Sequence, residues 1–179
     1  DGRIWVGWGH QPGNLYQPIR WIDGEPEILP VPPLNFRDAP YVTGVTVRGC
    51  SADGSVIYGS TWDNLDFGML YWKDGKVKYV GEDVHEIKSV TIPYPEGDET
   101  FYYANGIVEI YKMSPSGNWI AGAYQEITVN TDDYSTVASS CPAFYNTETE
   151  TTVVLEEYSG AKGVHVTDGG IAFIALPMA

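Results

Sequence analysis

The sequence predicts an all-β, β-propeller-like fold of about three and a half four-stranded antiparallel blades. One turn-forming motif recurs along the chain at a spacing close to 50 residues, and a hairpin-forming motif follows its first three copies. The composition is also typical of β-structure, because 13 Tyr and 6 Trp suit a pleated surface and 20 Gly and 12 Pro suit turns.

The recurring motif is Asp or Ser, then Gly, one variable residue and an apolar run. Its copies start at Asp1, Asp53, Ser116 and Asp168, so the spacings are 52, 63 and 52 residues. The fourth copy reads Asp168-Gly169-Gly170-Ile171 and lacks the glycine that ends the others. A fixed motif with a nearly fixed period indicates a repeat architecture.

The second motif reads Trp21-Ile22-Asp23-Gly24 in the first unit and Trp72-Lys73-Asp74-Gly75 in the second. Asp-Gly between apolar runs predicts a two-residue hairpin, since both turn residues need a positive φ. The third version, Phe144-Tyr145-Asn146-Thr147, lacks this pair, so a longer hairpin or one with a different turn is expected there.

Each complete unit divides into four short strands. In the second unit we expect Val45–Ser51, Ser55–Thr61, Gly68–Lys73 and Lys76–Val80. In the third unit we expect Ile107–Ser114, Trp119–Gln125, Pro142–Asn146 and Thr151–Glu156. The incomplete first and last units are expected to contain Arg3–Trp8, Tyr16–Ile22, Glu27–Pro30, Gly163–Thr167 and Gly170–Leu176. No helix is predicted, because Gly, Pro and β-branched residues interrupt every helical period.

Four short strands per unit of about 50 residues predict one propeller-like domain, 1–179, with blade units at about 1–43, 44–106, 107–161 and a partial 162–179. A sandwich or barrel does not predict the same motif in every fourth strand. Since a closed propeller needs about four to eight blades, three interpretations remain open: a fragment of a larger propeller, a homodimer that completes a ring, or a small irregular ring. The opening inside a repeat suggests a processed or trimmed product.

The stretch Ser51–Gly59, followed by Tyr71-Trp72-Lys73-Asp74-Gly75, resembles the blades of secreted bacterial β-propellers with HAF-type or WD-like repeats. The resemblance covers nearly the whole chain outside two insertions. It implies a propeller fold and a secreted, periplasmic or cell-surface location in a bacterium. Its motif is structural, so it implies no particular activity.

The charge of the chain restricts its partners. The formal net charge is −14, which disfavours binding to nucleic acid and to anionic lipid. No apolar run approaches the roughly 20 residues that span a bilayer, so we expect no membrane insertion. Cys50 and Cys141 are too few to define a disulfide framework, which leaves a bridge or two buried thiols as alternatives.

The largest insertion, Glu82–Asn105, is the first candidate site. Its Tyr94, Tyr102 and Tyr103 lie beside several carboxylates, a pattern that could stack on a sugar ring and hydrogen-bond its hydroxyls. The alternative is an acidic turn flanked by aromatic residues that anchor the core.

The tryptophans divide into two groups. Trp8 and Trp62 fall near predicted strand ends and are candidates for exposed, ligand-stacking residues. The others recur at equivalent strand positions and are predicted to anchor the core between blades; they are Trp5, Trp21, Trp72 and Trp119.

A cation site is a weaker prediction. Asp63, Asn64 and Asp66 offer the oxygen ligands that Ca²⁺ prefers, although their spacing does not match an EF-hand. A turn held by side-chain hydrogen bonds is the alternative there, and the same applies to the Asn130–Asp133 loop. No other cofactor is predicted.

The sequence contains no nucleophile elbow and no phosphate loop, and its three histidines are scattered. We therefore expect a non-enzymatic binding or scaffold module, with a glycan or a protein as ligand. The alternative is a fragment of a carbohydrate-active hydrolase or lyase, with acid and base carboxylates on the insertion loops.

Overall fold

The computed structural model of the chain describes residues 2–10, 16–31, 42–63 and 68–177. The prediction of an all-β protein is confirmed, since fourteen strands form four antiparallel sheets in these residues. The helical elements in this part of the chain are two 3-10 turns, at Glu82–Val84 and Glu156–Tyr158.

Sheets I and II follow the predicted strands closely. Sheet I consists of β1 (Ile4–His10), β2 (Tyr16–Ile22) and β3 (Glu25–Ile28). Sheet II consists of β4 (Val42–Cys50), β5 (Val56–Asp63), β6 (Met69–Lys73) and β7 (Lys76–Tyr79). Both Asp-Gly pairs form two-residue turns with positive φ, as predicted: φ is 51° and 90° at Asp23-Gly24, and 52° and 70° at Asp74-Gly75.

Sheets III and IV contain the remaining strands. Sheet III consists of β8 (Glu86–Ile92), β9 (Glu99–Met113), β10 (Trp119–Val129), β11 (Thr136–Asn146) and β12 (Thr151–Val154). Sheet IV consists of β13 (Lys162–Val166) and β14 (Ala172–Ala175). The β11–β12 hairpin has the longer loop that the missing Asp-Gly pair predicts, because Asn146 pairs with Thr151.

The four sheets pack against one another in chain order. Strand β4 contacts β1 and β2, β9 contacts β4 and β6, and β13 contacts β9, β10 and β11. An apolar cluster fills each boundary, centred on Leu70 and Trp72 between sheets I and II, on Tyr71 and Ile120 between II and III, and on Phe144 between III and IV. Sheets II and III are therefore covered by apolar side chains on both faces.

The same turn joins β4 to β5 in sheet II, β9 to β10 in sheet III and β13 to β14 in sheet IV. A glycine N–H donates to the carbonyl of a Ser or Thr three residues earlier, and the hydroxyl of that residue accepts an N–H from the following strand. The glycines are Gly54, Gly117 and Gly170, with φ of 71°, 81° and 77°. In the fourth copy Gly170 rather than Gly169 has the positive φ, so the motif is shifted by one residue from the predicted alignment.

The shift also decides which residue precedes the fourth turn. Val166 stands four residues before Gly170, as Cys50 stands before Gly54 and Met113 before Gly117, and it is 1% exposed. His165 lies one residue earlier, and its ring centroid is 5.5 Å from that of Phe173.

Turn glycines also set the distance between neighbouring sheets. A Cβ built on Gly54 would lie 2.6 Å from the Ile4 side chain of sheet I, and one on Gly117 would lie 2.6 Å from the Val56 side chain of sheet II. Contacts this short mean that a side chain at either position would force its neighbours to shift, so each turn rests directly on the preceding sheet.

The tryptophan predictions are confirmed only in part. Trp72 is 2% exposed, and its Nε1 donates to the Pro30 carbonyl at 2.7 Å. Trp21 and Trp119 are half-buried. The prediction is wrong for Trp5, which is 65% exposed, because no strand among the described residues packs on its face of sheet I.

Both cysteines are free thiols, so the structure contains no bridge between them. Cys141 is buried in sheet III, and Cys50 packs against the apolar cluster between sheets I and II. Burial raises the pKa of each thiol, which keeps both in the weakly reactive protonated form at neutral pH.

The close contact at Gly117 gives a first prediction. Gly117→Ala should lower the free energy of unfolding by about 2–4 kcal/mol, because the new methyl adds overpacking against Val56 to the strain of a positive φ. Gly75→Ala is the matched control: its φ of 70° is similar, but nothing lies within 4 Å of the added Cβ. Urea unfolding should show a smaller loss for the control, about 1 kcal/mol. Equal losses would contradict the proposed contact.

The turn at Asp53 predicts a pH dependence. The Ser55 N–H and the Ser51 and Ser55 hydroxyls donate to this carboxylate and lower its pKa from 3.8 to about 2. A lowered pKa stabilises the fold above pH 3.8, and this contribution is lost as the pH falls towards 2.

Asp53→Asn should therefore lower the free energy of unfolding at pH 6, by about 0.5 kcal/mol because solvent screens an exposed carboxylate. Denaturant titrations should show this difference shrinking between pH 4 and pH 2. Asp98→Asn, which changes another exposed carboxylate, is the control. A difference for Asp53→Asn that does not change with pH would contradict the role assigned to the turn.

Candidate functional site: a cleft between two hairpins of sheet III

Sheet III extends beyond the other sheets as two hairpins. Hairpin A, residues 86–105, contains β8 and the first part of β9. Hairpin B, residues 125–140, contains the end of β10 and the start of β11. The predicted insertion Glu82–Asn105 is thus a 3-10 turn and a hairpin. Hairpin B was not predicted, because one expected strand ended at Gln125 and the next began only at Pro142.

The two hairpins separate at a single buried side chain. Strands β9 and β10 pair as far as Gly106 and Gln125, and the ladder between them ends there. Two residues beyond Gln125 on β10, the N–H of Ile127 donates instead to Oδ1 of Asn105 at 2.8 Å. Asn105 is 1% exposed, so its amide replaces a backbone partner at the branch point.

Beyond the branch point, residues 99–104 pair only with β8, and residues 126–129 pair only with β11. Each of these segments has a second strand edge on the side of the other hairpin. Among the described residues, no ladder occupies either edge. Apart from the N–H of Ile127, which donates to Asn105, the N–H and C=O groups on these edges are therefore oriented into the space between the hairpins.

Apolar side chains cover the facing surfaces of both hairpins. On hairpin A, Val90 lies opposite Phe101 in the antiparallel register. On hairpin B, Ile127 lies opposite Ala138. Between the hairpins is a cleft of about 370 Å³, lined by Val90, Ile92, Phe101, Tyr102, Tyr103, Ile127, Val129, Tyr134, Thr136 and Ala138.

The charge around the cleft is almost entirely negative. Hairpins A and B carry seven carboxylates: Glu86, Glu96, Asp98, Glu99, Glu126, Asp132 and Asp133. Their single basic residue is Lys88, whose Nζ lies 3.0 Å from Glu86. The hydrogen bond to Glu86 raises the pKa of Lys88. The cleft thus combines apolar walls with an acidic surround that would attract a cation.

Two of the predicted ligand-binding residues line this cleft. Tyr103 is half-buried in its wall, and Tyr102 is 66% exposed. Tyr94 lies in the turn of hairpin A, 46% exposed, and does not line the cleft. Trp8 is exposed as predicted, but it belongs to sheet I.

The predicted calcium ligands lie largely outside the described residues. This applies to Asn64 and Asp66 and to the side chain of Asp63. The side chain of Trp62, which was predicted to stack on a ligand, also lies outside the described residues. Within the described ranges, no group of three or more His, Cys, Asp or Glu side chains is arranged to hold a metal ion. No helix among these residues is long and apolar enough to cross a bilayer.

The Asn130–Asp133 loop forms the hydrogen-bonded turn given as the alternative to a cation site. Oδ1 of Asn130 accepts from the Asp132 N–H at 3.0 Å. Oδ1 of Asp133 accepts from the Ser135 N–H and hydroxyl, and the hydroxyl bond is the main cause of its lowered pKa. These side-chain oxygens therefore accept hydrogen bonds from within the loop.

Sequence reasoning missed most of the apolar wall residues. A signal for hairpin B was present, because Ile127 and Val129 alternate with Glu126 and Thr128, which is the period of a half-buried strand. The same alternation occurs at Val90 and Ile92 in hairpin A.

A second cavity of about 610 Å³ lies between sheets I and II, but its two basic side chains, Arg20 and Lys73, already have partners. Arg20 pairs with Glu27 at 2.5 Å and donates to the Gly54 carbonyl at 3.1 Å. Lys73 pairs with Glu148 at 2.5 Å. A smaller cavity beside the Lys78–Glu150 pair has the same character. The hairpin cleft is the better candidate because it combines apolar walls with unpaired strand edges.

The branch point gives a prediction. Asn105→Ala should lower the free energy of unfolding by about 1–3 kcal/mol, since it leaves the partly buried Ile127 N–H without its acceptor. Asn130→Ala is the control, because its Oδ1 accepts a similar bond in an exposed loop and should cost less. Faster hydrogen exchange at Ile127 in Asn105→Ala alone would support the assigned role. Unchanged exchange there would contradict it.

Comparisons with protein-family models, with curated proteins and with solved structures found no match to this chain. The function of the cleft is therefore argued from its own geometry and chemistry.

Proposed function

We propose that the protein is a non-enzymatic binding module, in which a propeller-like stack of sheets supports a cleft for an extended, basic and apolar protein segment. The observation that carries this proposal is the split of sheet III at Asn105. It leaves two strand edges and two apolar surfaces facing one another.

The propeller-like scaffold is supported by the order in which the sheets pack. Sheets I to IV are consecutive in the chain, each covers the next, and three of them contain the same glycine turn. A stack of this kind fits the predicted blade units and the resemblance to secreted propeller repeats. In such proteins, loops and hairpins carried on rigid sheets commonly bind the ligand.

Contacts at the base of sheet III fix the hairpins to this stack. Asp83, in the 3-10 turn just before hairpin A, accepts bonds from the N–H and hydroxyl of Thr152, both at 2.6 Å. Lys78 of sheet II pairs with Glu150 beside β12. We therefore expect the walls of the cleft to be positioned before any ligand binds, which lowers the entropy cost of binding.

The ligand class follows from three properties of the cleft. A volume of about 370 Å³ with aliphatic and aromatic walls suits a few apolar side chains. The surrounding carboxylates favour positive charge on the same ligand. The unpaired edges of 99–104 and 126–129 can accept a strand through main-chain hydrogen bonds. An extended peptide with alternating apolar and basic residues meets all three requirements.

A carbohydrate-active enzyme is less well supported. Its chemistry needs two carboxyl groups flanking the scissile bond, and the ten lining residues include no carboxylate. A neutral glycan could stack on Tyr102 and Tyr103, but it would leave the apolar wall of Ile127 and Val129 unused. Glycan binding is therefore an outcome against which the proposal is tested.

The proposal is tested with a synthetic peptide of about seven residues that alternates valine and lysine. It should bind in titration calorimetry, and a peptide alternating valine and glutamate should not, because the carboxylates repel it. Phe101→Ala and Ile127→Ala should each weaken binding about 5- to 30-fold, the effect of about 1–2 kcal/mol of lost apolar contact. Tyr158→Ala, an exposed aromatic outside the cleft, is the control.

The mode of binding is tested by alternate N-methylation of the lysine peptide. Methylation removes N–H donors while it keeps the side chains, so strand addition predicts a large loss of affinity. Equal binding of both charged peptides, or binding of neutral polysaccharides but not of the lysine peptide, would overturn the proposal.

A further inference from the structure

The cleft between hairpins A and B has two different ends. At its inner end, strands β9 and β10 pair with each other and the side chain of Asn105 bonds to Ile127. At its outer end, the two hairpins close in separate turns, at 93–98 and 130–135. A ligand strand that lies between the hairpins therefore has one end beside Asn105 and the other end beside the turns.

The directions of the flanking strands limit how such a ligand can pair. Strand β9 runs from the outer end to the inner end, and β10 runs back outwards, because the two strands are antiparallel. A strand between them is antiparallel to one and parallel to the other. Since antiparallel pairing is slightly more stable per residue, the edge that offers more main-chain groups should take the antiparallel partner.

Hairpin A offers the better edge. Its segment without a partner on the cleft side is 99–104, which is longer than the corresponding segment of hairpin B, 126–129. Alternate residues of a strand direct their N–H and C=O groups to the same side. On hairpin B, the N–H of Ile127 points to the cleft side but already donates to Asn105. This leaves Val129 as the next residue of 126–129 that can donate there.

The charge also differs between the two ends of the cleft. The inner end has Glu86 and Glu126 together with Lys88, whose Nζ lies 3.0 Å from Glu86. The outer end has the other five carboxylates of the hairpins and no basic residue. These five are Glu96, Asp98, Glu99, Asp132 and Asp133.

The separation of the two ends is large enough for a ligand to distinguish them. Residues 99–104 span about 17 Å, at roughly 3.4 Å for each step along the strand. Charges in water are screened over about 8 Å at physiological ionic strength. A basic side chain at one end of the ligand therefore interacts mainly with the carboxylates at that end, and it should favour the outer one.

We propose that the ligand strand pairs with residues 99–104 of hairpin A in the antiparallel direction, with its N-terminal end beside Asn105 and its basic residues towards its C-terminal end. The inference rests on the peptide-binding function proposed above and adds a direction and an order of charges to it. The partner is an extended protein segment whose apolar half precedes its basic half. The apolar half contacts Phe101 and Ile127 in the walls, and the basic half lies against the carboxylates of the turns.

Two peptides of about eight residues test the order of charges on the whole chain. Both are acetylated and amidated, and in both valine alternates with a polar residue. The first peptide has threonine as the polar residue in its first half and lysine in its second half; the other is the same sequence reversed. The first should bind about 3- to 10-fold more tightly in titration calorimetry, as expected for two exposed ion pairs. The preference should shrink in about 0.5 M NaCl.

A charge variant tests which carboxylates are responsible. Asp98→Asn combined with Glu99→Gln should remove most of the preference, because both carboxylates lie at the outer end and are exposed. Glu156→Gln combined with Glu157→Gln is the matched control, since it neutralises two adjacent exposed carboxylates outside the hairpins. The control should leave the preference unchanged.

A nitroxide label on the first peptide tests its direction. On the N-terminal residue, the label should broaden the amide resonances of Asn105 and Ile127, and on the C-terminal residue those of Gly97 and Asp98. The opposite pattern, or equal affinities of the two peptides, would overturn this inference and leave the proposed function standing. Absence of binding by both peptides would instead overturn the proposed function, and this inference with it.

Discussion

The close approach of each glycine turn to the preceding sheet is the constraint on which the rest of the structure depends. At Gly117 the preceding sheet lies so near that an added methyl group would overlap the side chain of Val56. This contact sets the separation at which Tyr71, Ile120 and their neighbours fill the boundary between sheets II and III. Side-chain hydrogen bonds hold each turn in the conformation that makes the approach feasible.

The cleft exists because sheet III is longer than the sheets beside it. Where sheet III lies between sheets II and IV, its strands pair continuously and bury both faces. Its extensions reach past this support, and their apolar residues have no neighbouring sheet among the described residues. The strands then divide at Asn105, and the two hairpins present their apolar faces to one another.

The sequence predicts the local backbone structure better than it predicts which residues a neighbouring sheet buries. Strands of sheet II and the Asp-Gly turns are predictable because backbone preferences determine them within a few residues. The exposure of Trp5 is not predictable in this way, because Trp5 has the same local sequence pattern as Ile57. Only a neighbouring sheet makes one position buried and leaves the other exposed. Hairpin B was missed because its alternation of apolar and polar residues lies within a stretch rich in polar residues. Tyr102 and Tyr103 were predicted as site residues only because they are aromatic.

Because the main contacts of each sheet within the described residues are with its neighbours in the chain, stability should vary along the stack as it does in repeat proteins. Within the described residues of 2–31, the buried side chains are those of Pro18 and Leu29, whereas the boundary between sheets II and III draws several buried apolar residues from each side. Sheet I should therefore detach before the rest unfolds, as a separate cooperative unit. Cys50 lies at that boundary, so the chain carries its own thiol reporter of this partial opening.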